Sequence, residues 1–146
     1  MENKDLFEKV KKALFEDWRA TKLKEDGTYD EKLYKVTSDE FIKRCKKEKL
    51  CKYEELENGD FKAAIATLDY DKQPKYNEER KEDILLFELC LKGIDDEDIA
   101  KQLNDLWCKE HSQNIKFEEL SETDKNYYYN EISICKKVIE KENNKN

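Results

Sequence analysis

Two tryptophans, Trp18 and Trp107, are the residues of this chain best suited to hold a ligand. An indole presents a flat face on which a planar base can stack, and cations beside it can take phosphate oxygens. Basic side chains crowd the segment after Trp18: Arg19, Lys22, Lys24, Lys32 and Lys35, with Tyr29 among them. A tryptophan that ends an amphipathic helix is ordinarily part of a core. Two at equivalent positions of a duplicated unit can instead face each other across a cleft, and both readings stand at this point.

Groups suited to catalysis are sparser. His111 is the sole histidine; it sits near a helix end, where an imidazolium would complement the dipole, and no His/Cys pattern around it has ligand spacing. The carboxylates of Asp95-Asp96-Glu97-Asp98, Glu54-Glu55 and Glu118-Glu119 could do acid–base work, but at helix starts their plain role is again the dipole. Five cysteines (45, 51, 90, 108 and 135) are odd in number and lack CxxC spacing. Cys45 and Cys51 do not share a helical face, and the thiols read as reduced core filler. Tyr127-Tyr128-Tyr129 points three ways around a helix, so at most two rings enter a core. The expectation is a protein that is not an enzyme, with no catalytic residue, no metal and no cofactor.

The elements that must position the tryptophans read as helices. Leu6, Val10 and Leu14, widened by Ala13 and Trp18, give a helix over 4–23 that Gly27-Thr28 breaks. Ser38 caps a second over Phe41, Ile42 and Cys45, through about Lys49. Asn58 or Asp60 caps a third carrying Phe61, Ala64, Ile65 and Leu68. A polar linker over Asp69–Tyr76 follows, then a helix opening at Asn77-Glu78-Glu79, with Ile84, Leu85, Phe87, Leu89 and Leu91 buried almost all round and Gly93 as its stop. Asp95 starts a fifth with Ile99, Leu103 and Trp107. Ser121 opens a sixth with Tyr128, Ile132, Cys135 and Ile139, and a polar tail over 142–146 is expected to fray.

Composition sets the class. Leu, Ile, Val and Phe make up 22% of 146 residues, enough for a thin core, while 45% are charged and the net charge is −7. Three glycines and one proline are too few for a Gly-rich phosphate loop, a sandwich or a barrel. The longest aliphatic or aromatic run is Ile84-Leu85-Leu86-Phe87, far short of a membrane span, and the first residues lack the apolar stretch of a secretory signal. The reading is therefore an all-α, single compact domain over 1–146, of about six helices, in a cytoplasm and off the membrane.

A repeat underlies the helical pattern. Residues 10–18 (VKKALFEDW) align with 99–107 (IAKQLNDLW), sharing Lys12/Lys101, Leu14/Leu103 and Trp18/Trp107. Downstream, Lys52-Tyr53-Glu54-Glu55-Leu56 aligns with Lys116-Phe117-Glu118-Glu119-Leu120, and Asp60 and Asp124 fall at the same offset. The repeats span 6–68 and 97–140, joined by the linker and central helix of 69–93. Connectors of 33 and eight residues separate each tryptophan from its lysine, so the first copy carries an insertion.

Helix, tryptophan, connector and an aromatic-E-E-L turn leading into a helix resemble the ryanodine-receptor-type repeat domain, in two degenerate copies as in bacterial and phage proteins. Residues Glu16 to Tyr29 are similar to its tryptophan and connector, and Phe117 to Lys125 to its turn and second helix. The chain departs from that pattern at Lys52 and Lys116, where the family has proline, in its short second connector, and in lacking a histidine before either tryptophan. The resemblance implies a ligand of adenine-nucleotide type in a cleft lined by the repeat tryptophans. Trp18 and Trp107 would stack the base, Arg19 and Lys22 would meet phosphate or ribose oxygens, and Tyr29 would close one side.

The expected function is binding of a nucleotide or nucleotide-derived signalling molecule, to sense or sequester it, in a bacterial cell or a phage-infected host. In a phage, sequestration would blunt a nucleotide-signalled defence. The alternative lies in charge. Residues 1–53 carry 15 basic and 12 acidic side chains, whereas 54–146 carry 14 and 24, a net −10. That acidic part could mimic a nucleic acid and inhibit a protein of a bacterial defence complex. Direct binding of duplex nucleic acid would call for a broader basic excess, and a protein partner or homodimer stays open.

Overall fold

The computed structural model describes residues 3–72 and 80–145. They form five α-helices: α1 (Asn3–Ala20), α2 (Asp39–Glu48), α3 (Lys81–Leu91), α4 (Asp96–Glu110) and α5 (Glu122–Asn143). A small antiparallel sheet of β1 (Tyr34–Val36), β2 (Tyr53–Glu55) and β3 (Phe61–Ala63) accompanies them, in the order β1-β3-β2. The fold is mostly helical with a minor sheet. The chain divides into two compact units, residues 1–14 with 78–146, and residues 15–77. Helix α1 gives its first turns to the former and its last to the latter.

The first unit is a helical bundle. Leu6 and Val10 of α1, Leu86, Phe87, Leu89 and Cys90 of α3, Ile99, Ala100 and Leu103 of α4, and Tyr128, Ile132 and Cys135 of α5 form its core, with Phe117 from a short 3-10 turn over 117–119. These positions recur at three- and four-residue steps, which is why the helical period was legible. Asp95 and Ser121 cap α4 and α5 through their side chains. α3 ends where Gly93, at φ +71, lets Ile94 N–H reach Leu89 O at 3.2 Å. Leu91, expected in the core, is 38% exposed. The expected start of this helix at Asn77, and the only proline, lie outside the described residues.

One buried polar group is built into that bundle. The Asn104 amide donates to Ile115 O at 2.8 Å and accepts from the Tyr128 hydroxyl at 3.5 Å. It ties α4 to the segment behind it and to α5. The tail expected to fray from Glu142 is helical through Asn143, because Glu142 pairs with Lys9 at 3.0 Å and Lys145 at 3.1 Å.

The second unit departs most from the helical expectation. The third helix, read over Phe61, Ala64, Ile65 and Leu68, is instead strand β3 followed by one 3-10 turn, Ile65–Thr67. Asn58-Gly59 does not cap a helix; it turns a hairpin between β2 and β3. Leu56 N–H reaches Asp60 O at 2.8 Å, and Gly59 takes φ +91. Tyr53 pairs with Ala63 and Glu55 with Phe61, while Phe61 and Ala63 are buried on either side of a half-buried Lys62, the period of a strand. Helix α2, capped by Ser38 Oγ on Phe41 N–H, packs Phe41 and Cys45 onto Val36, Phe61, Ala63 and Leu68.

The aligned repeat segments agree in their first element and differ in their second. Residues 10–18 and 99–107 are both helical, but Tyr53-Glu54-Glu55 is a strand and Phe117-Glu118-Glu119 a 3-10 turn. No helix among the described residues is long and apolar enough to cross a membrane.

Candidate functional site

Helix α1 presents Phe15 and Trp18 three residues apart, on one face of its last turns. Their rings stack at 6.1 Å, and Tyr70 approaches Phe15 at 5.6 Å. The helix stops at Ala20, three residues before the expected Leu23. Thr21 turns back on it, its hydroxyl donating to Trp18 O at 2.6 Å. A tight loop follows. Lys24 N–H reaches Thr28 O at 2.7 Å, Asp26 accepts from the Thr28 hydroxyl and N–H, and Gly27 supplies φ +84. Leu23 then bridges to Tyr29, so the loop returns Tyr29 to the end of α1.

Arg19 is the hub of that return. Its guanidinium lies 5.1 Å from the Tyr29 ring centre and 5.7 Å from that of Phe15. One nitrogen pairs with Glu16 at 2.6 Å; another donates to Leu68 O at 3.1 Å and lies 3.4 Å from Asp69. Only 17% of the side chain is exposed. Arg19 thus fastens the end of α1 to the 3-10 turn after β3, and its terminal nitrogens are already engaged.

Lys22 is placed differently. Its ammonium lies 5.6 Å from the Trp18 ring centre and 5.2 Å from that of Tyr34, and these two rings meet edge to face at 5.8 Å. Lys32 adds a second ammonium 5.5 Å from Tyr34. Lys32 and Tyr34 stand two apart in an extended run, which puts both on one side of the chain. Neither lysine pairs with a carboxylate among the described residues. Two cations therefore converge on a Trp–Tyr pair, Lys22 over both rings and Lys32 over Tyr34. Each such contact contributes about 0.5–1 kcal/mol at an exposed position, well short of a charge-assisted hydrogen bond. This arrangement can receive an anion next to a planar ring.

Of the five residues expected to bind ligand, Trp18, Arg19, Lys22 and Tyr29 gather at this place. Trp107 belongs to the first unit. It is 38% exposed and stacks on His111 at 4.5 Å, with His111 Nδ1 2.8 Å from Trp107 O. His111 is thus a cap on α4. Tyr34 and Lys32 complete the group without having been singled out as binding residues; their two-residue spacing was the available signal.

A second polar group lies in the first unit. Arg80 donates to Glu82 at 3.1 Å and pairs with Asp83 at 3.8 Å. Burial raises both carboxyls above their ordinary range, only partly offset by Arg80. Burial also pushes the Tyr128 hydroxyl up to about 12. This is a desolvated helix start, with Arg80 at the N-cap position of α3 and no side-chain cap there. Among the described residues, no group of three or more His, Cys, Asp or Glu is arranged to hold a metal ion. Comparison with protein-family models, with curated proteins and with solved structures finds no match to the chain.

Proposed function

We propose that the chain binds a nucleotide-type small molecule, an adenine nucleotide or a signalling molecule derived from one, and acts by sensing or sequestering it, with no catalytic step. The observation that carries this reading is the convergence of the Lys22 and Lys32 ammoniums on the Trp18–Tyr34 ring pair. A base stacking on Trp18 gains dispersion and quadrupole energy. A phosphate displacing the aromatic faces from Lys22 and Lys32 trades three weak contacts for charge-assisted hydrogen bonds. Arg19 and Tyr29 hold the loop in place beneath them. The resemblance to ryanodine-receptor-type repeats supports the same ligand class. In a phage-infected bacterium, sequestration of such a molecule would blunt a defence pathway that signals through it.

The test uses the Trp107→Phe protein, in which Trp18 is the sole indole. Titration with adenine nucleotides and ADP-ribose-type compounds is expected to change Trp18 fluorescence and raise Tm. A panel that leaves both unchanged overturns the proposal. Mass spectrometry of small molecules released on denaturing the purified protein identifies a ligand carried from the cell. A Trp18→Ala variant that keeps full biological activity would shift the reading to an acidic inhibitor of a protein partner.

A further inference from the structure

We propose that Cys45 and Cys51 are an oxidation-sensitive dithiol that closes to an intramolecular disulfide when the protein meets a hydroperoxide. On a continuous helix, residues six apart would not share a face, but α2 ends at Glu48. Lys49 takes a left-handed φ of +51 and its N–H caps Cys45 O at 3.0 Å, so the chain reverses. The reversal brings the two sulfurs to 3.9 Å. A disulfide needs about 2.05 Å, a gap that side-chain rotation and a small shift of the capping turn can close.

The two thiols differ in access, which assigns their roles. Cys45 is fully buried against Phe41, Phe61 and Leu68, whereas Cys51 is partly exposed. A hydroperoxide reaches Cys51 first. Its thiolate attacks the O–O bond, becoming a sulfenic acid and releasing the alcohol, or water from hydrogen peroxide. The Cys45 sulfur then attacks that sulfenic sulfur; the S–S bond forms, and the hydroxyl leaves as water with the Cys45 proton. Two thiols and one hydroperoxide give one disulfide, one alcohol and one water. Burial raises both thiols, Cys45 to about 12, while hydrogen bonds from Cys45 and the Ala64 backbone oppose the rise at Cys51. Little thiolate therefore stands at neutral pH, and the pair responds to sustained oxidant, unlike a peroxidase.

Cys90 and Cys135 supply an internal control. They hydrogen-bond each other, yet both are buried. The experiment exposes the native full chain to hydrogen peroxide, alkylates it after denaturation, and maps the peptides. The expected result is a loss of two alkylatable thiols from five, a Cys45–Cys51 link reversed by dithiothreitol, and Cys90 and Cys135 still reduced. Cys51→Ser, at the part-exposed position, is expected to keep its remaining thiols, whereas Cys45→Ala is expected to lose one, with Cys51 stopping at a sulfenic acid that dimedone traps. The proposal is overturned by sulfinic acid at Cys51 with Cys45 still alkylated, by dimers linked through Cys51, or by an equal loss of two thiols in Cys51→Ser.

Discussion

Arg19 shows how the same side chain reads differently from a sequence and from its surroundings. Beside a tryptophan and ahead of a lysine-rich connector, it reads as a phosphate contact; in the fold its two terminal nitrogens also engage Glu16, Leu68 O and Asp69. Arg19→Ala is therefore predicted to cost about 1–3 kcal/mol of stability, since it leaves a half-buried carbonyl and carboxylate unpaired. Urea unfolding would read this as a lower midpoint, and an unchanged midpoint would argue against the clamp. Alanine at Lys22 or Lys32 is predicted to lower the midpoint less than Arg19→Ala, since it removes only cation–π contacts of about 0.5–1 kcal/mol each. Glu82 carries a pH signature. Its carboxyl is raised above its ordinary 4.5 by burial. Its contribution is thus fully present below that value and is lost as pH rises through the raised one. Thermal melts should show the wild type gaining on Glu82→Gln as pH falls through this interval, and the reverse trend would contradict the assignment.

At the scale of elements, what was legible and what was not follows from which period dominates. Leu6, Val10, Ile99, Leu103, Ile132 and Cys135 repeat at helical steps, and Asp95 and Ser121 mark helix starts chemically, so α1, α4 and α5 were readable. The sheet was not, because its strands are three residues each and its buried positions are only Val36, Phe61 and Ala63. Over so short a span Phe61, Ala64, Ile65 and Leu68 fit a helical face as well as Phe61 and Ala63 fit a strand. The decisive signal was Asn58-Gly59, an efficient hairpin turn that also looks like a helix cap. Gly59→Ala is predicted to cost about 1 kcal/mol or somewhat more. The φ of +91 disfavours a side chain although nothing lies within 4 Å of the added carbon, so the cost is conformational. Denaturant unfolding checks it. Asn104→Ala should cost about 2–3 kcal/mol by leaving Ile115 O with only the weak Cys108 thiol donor at 3.3 Å and the Tyr128 hydroxyl without its acceptor. A smaller loss would mean water replaces the amide. Of the candidate site, the α1 end and its cations were legible; Tyr34 was not, because its role depends on the loop that returns Tyr29 and then runs extended through Lys32.

For the whole molecule, charge governs how an anion would be received. The chain carries −7, yet its first 53 residues carry +3 and hold Lys22 and Lys32. Steering over long range is thus weak, and the local cations act within roughly the 8–10 Å over which salt leaves charges visible. Ligand affinity is predicted to fall only modestly between low and physiological salt, because stacking on Trp18 is insensitive to it. Binding by carboxylate mimicry would fall steeply. Any ligand that binds the folded state alone also raises Tm in proportion to the logarithm of its concentration. The most direct measurement is calorimetric titration of ADP-ribose and adenine nucleotides into three proteins: wild type, Lys22→Ala/Lys32→Ala and Trp18→Ala. The account predicts saturable one-site binding to the wild type, weakened at least about tenfold by the paired lysine substitution and by loss of the indole. No heat of binding in the wild type, or equal affinity in all three, would contradict it.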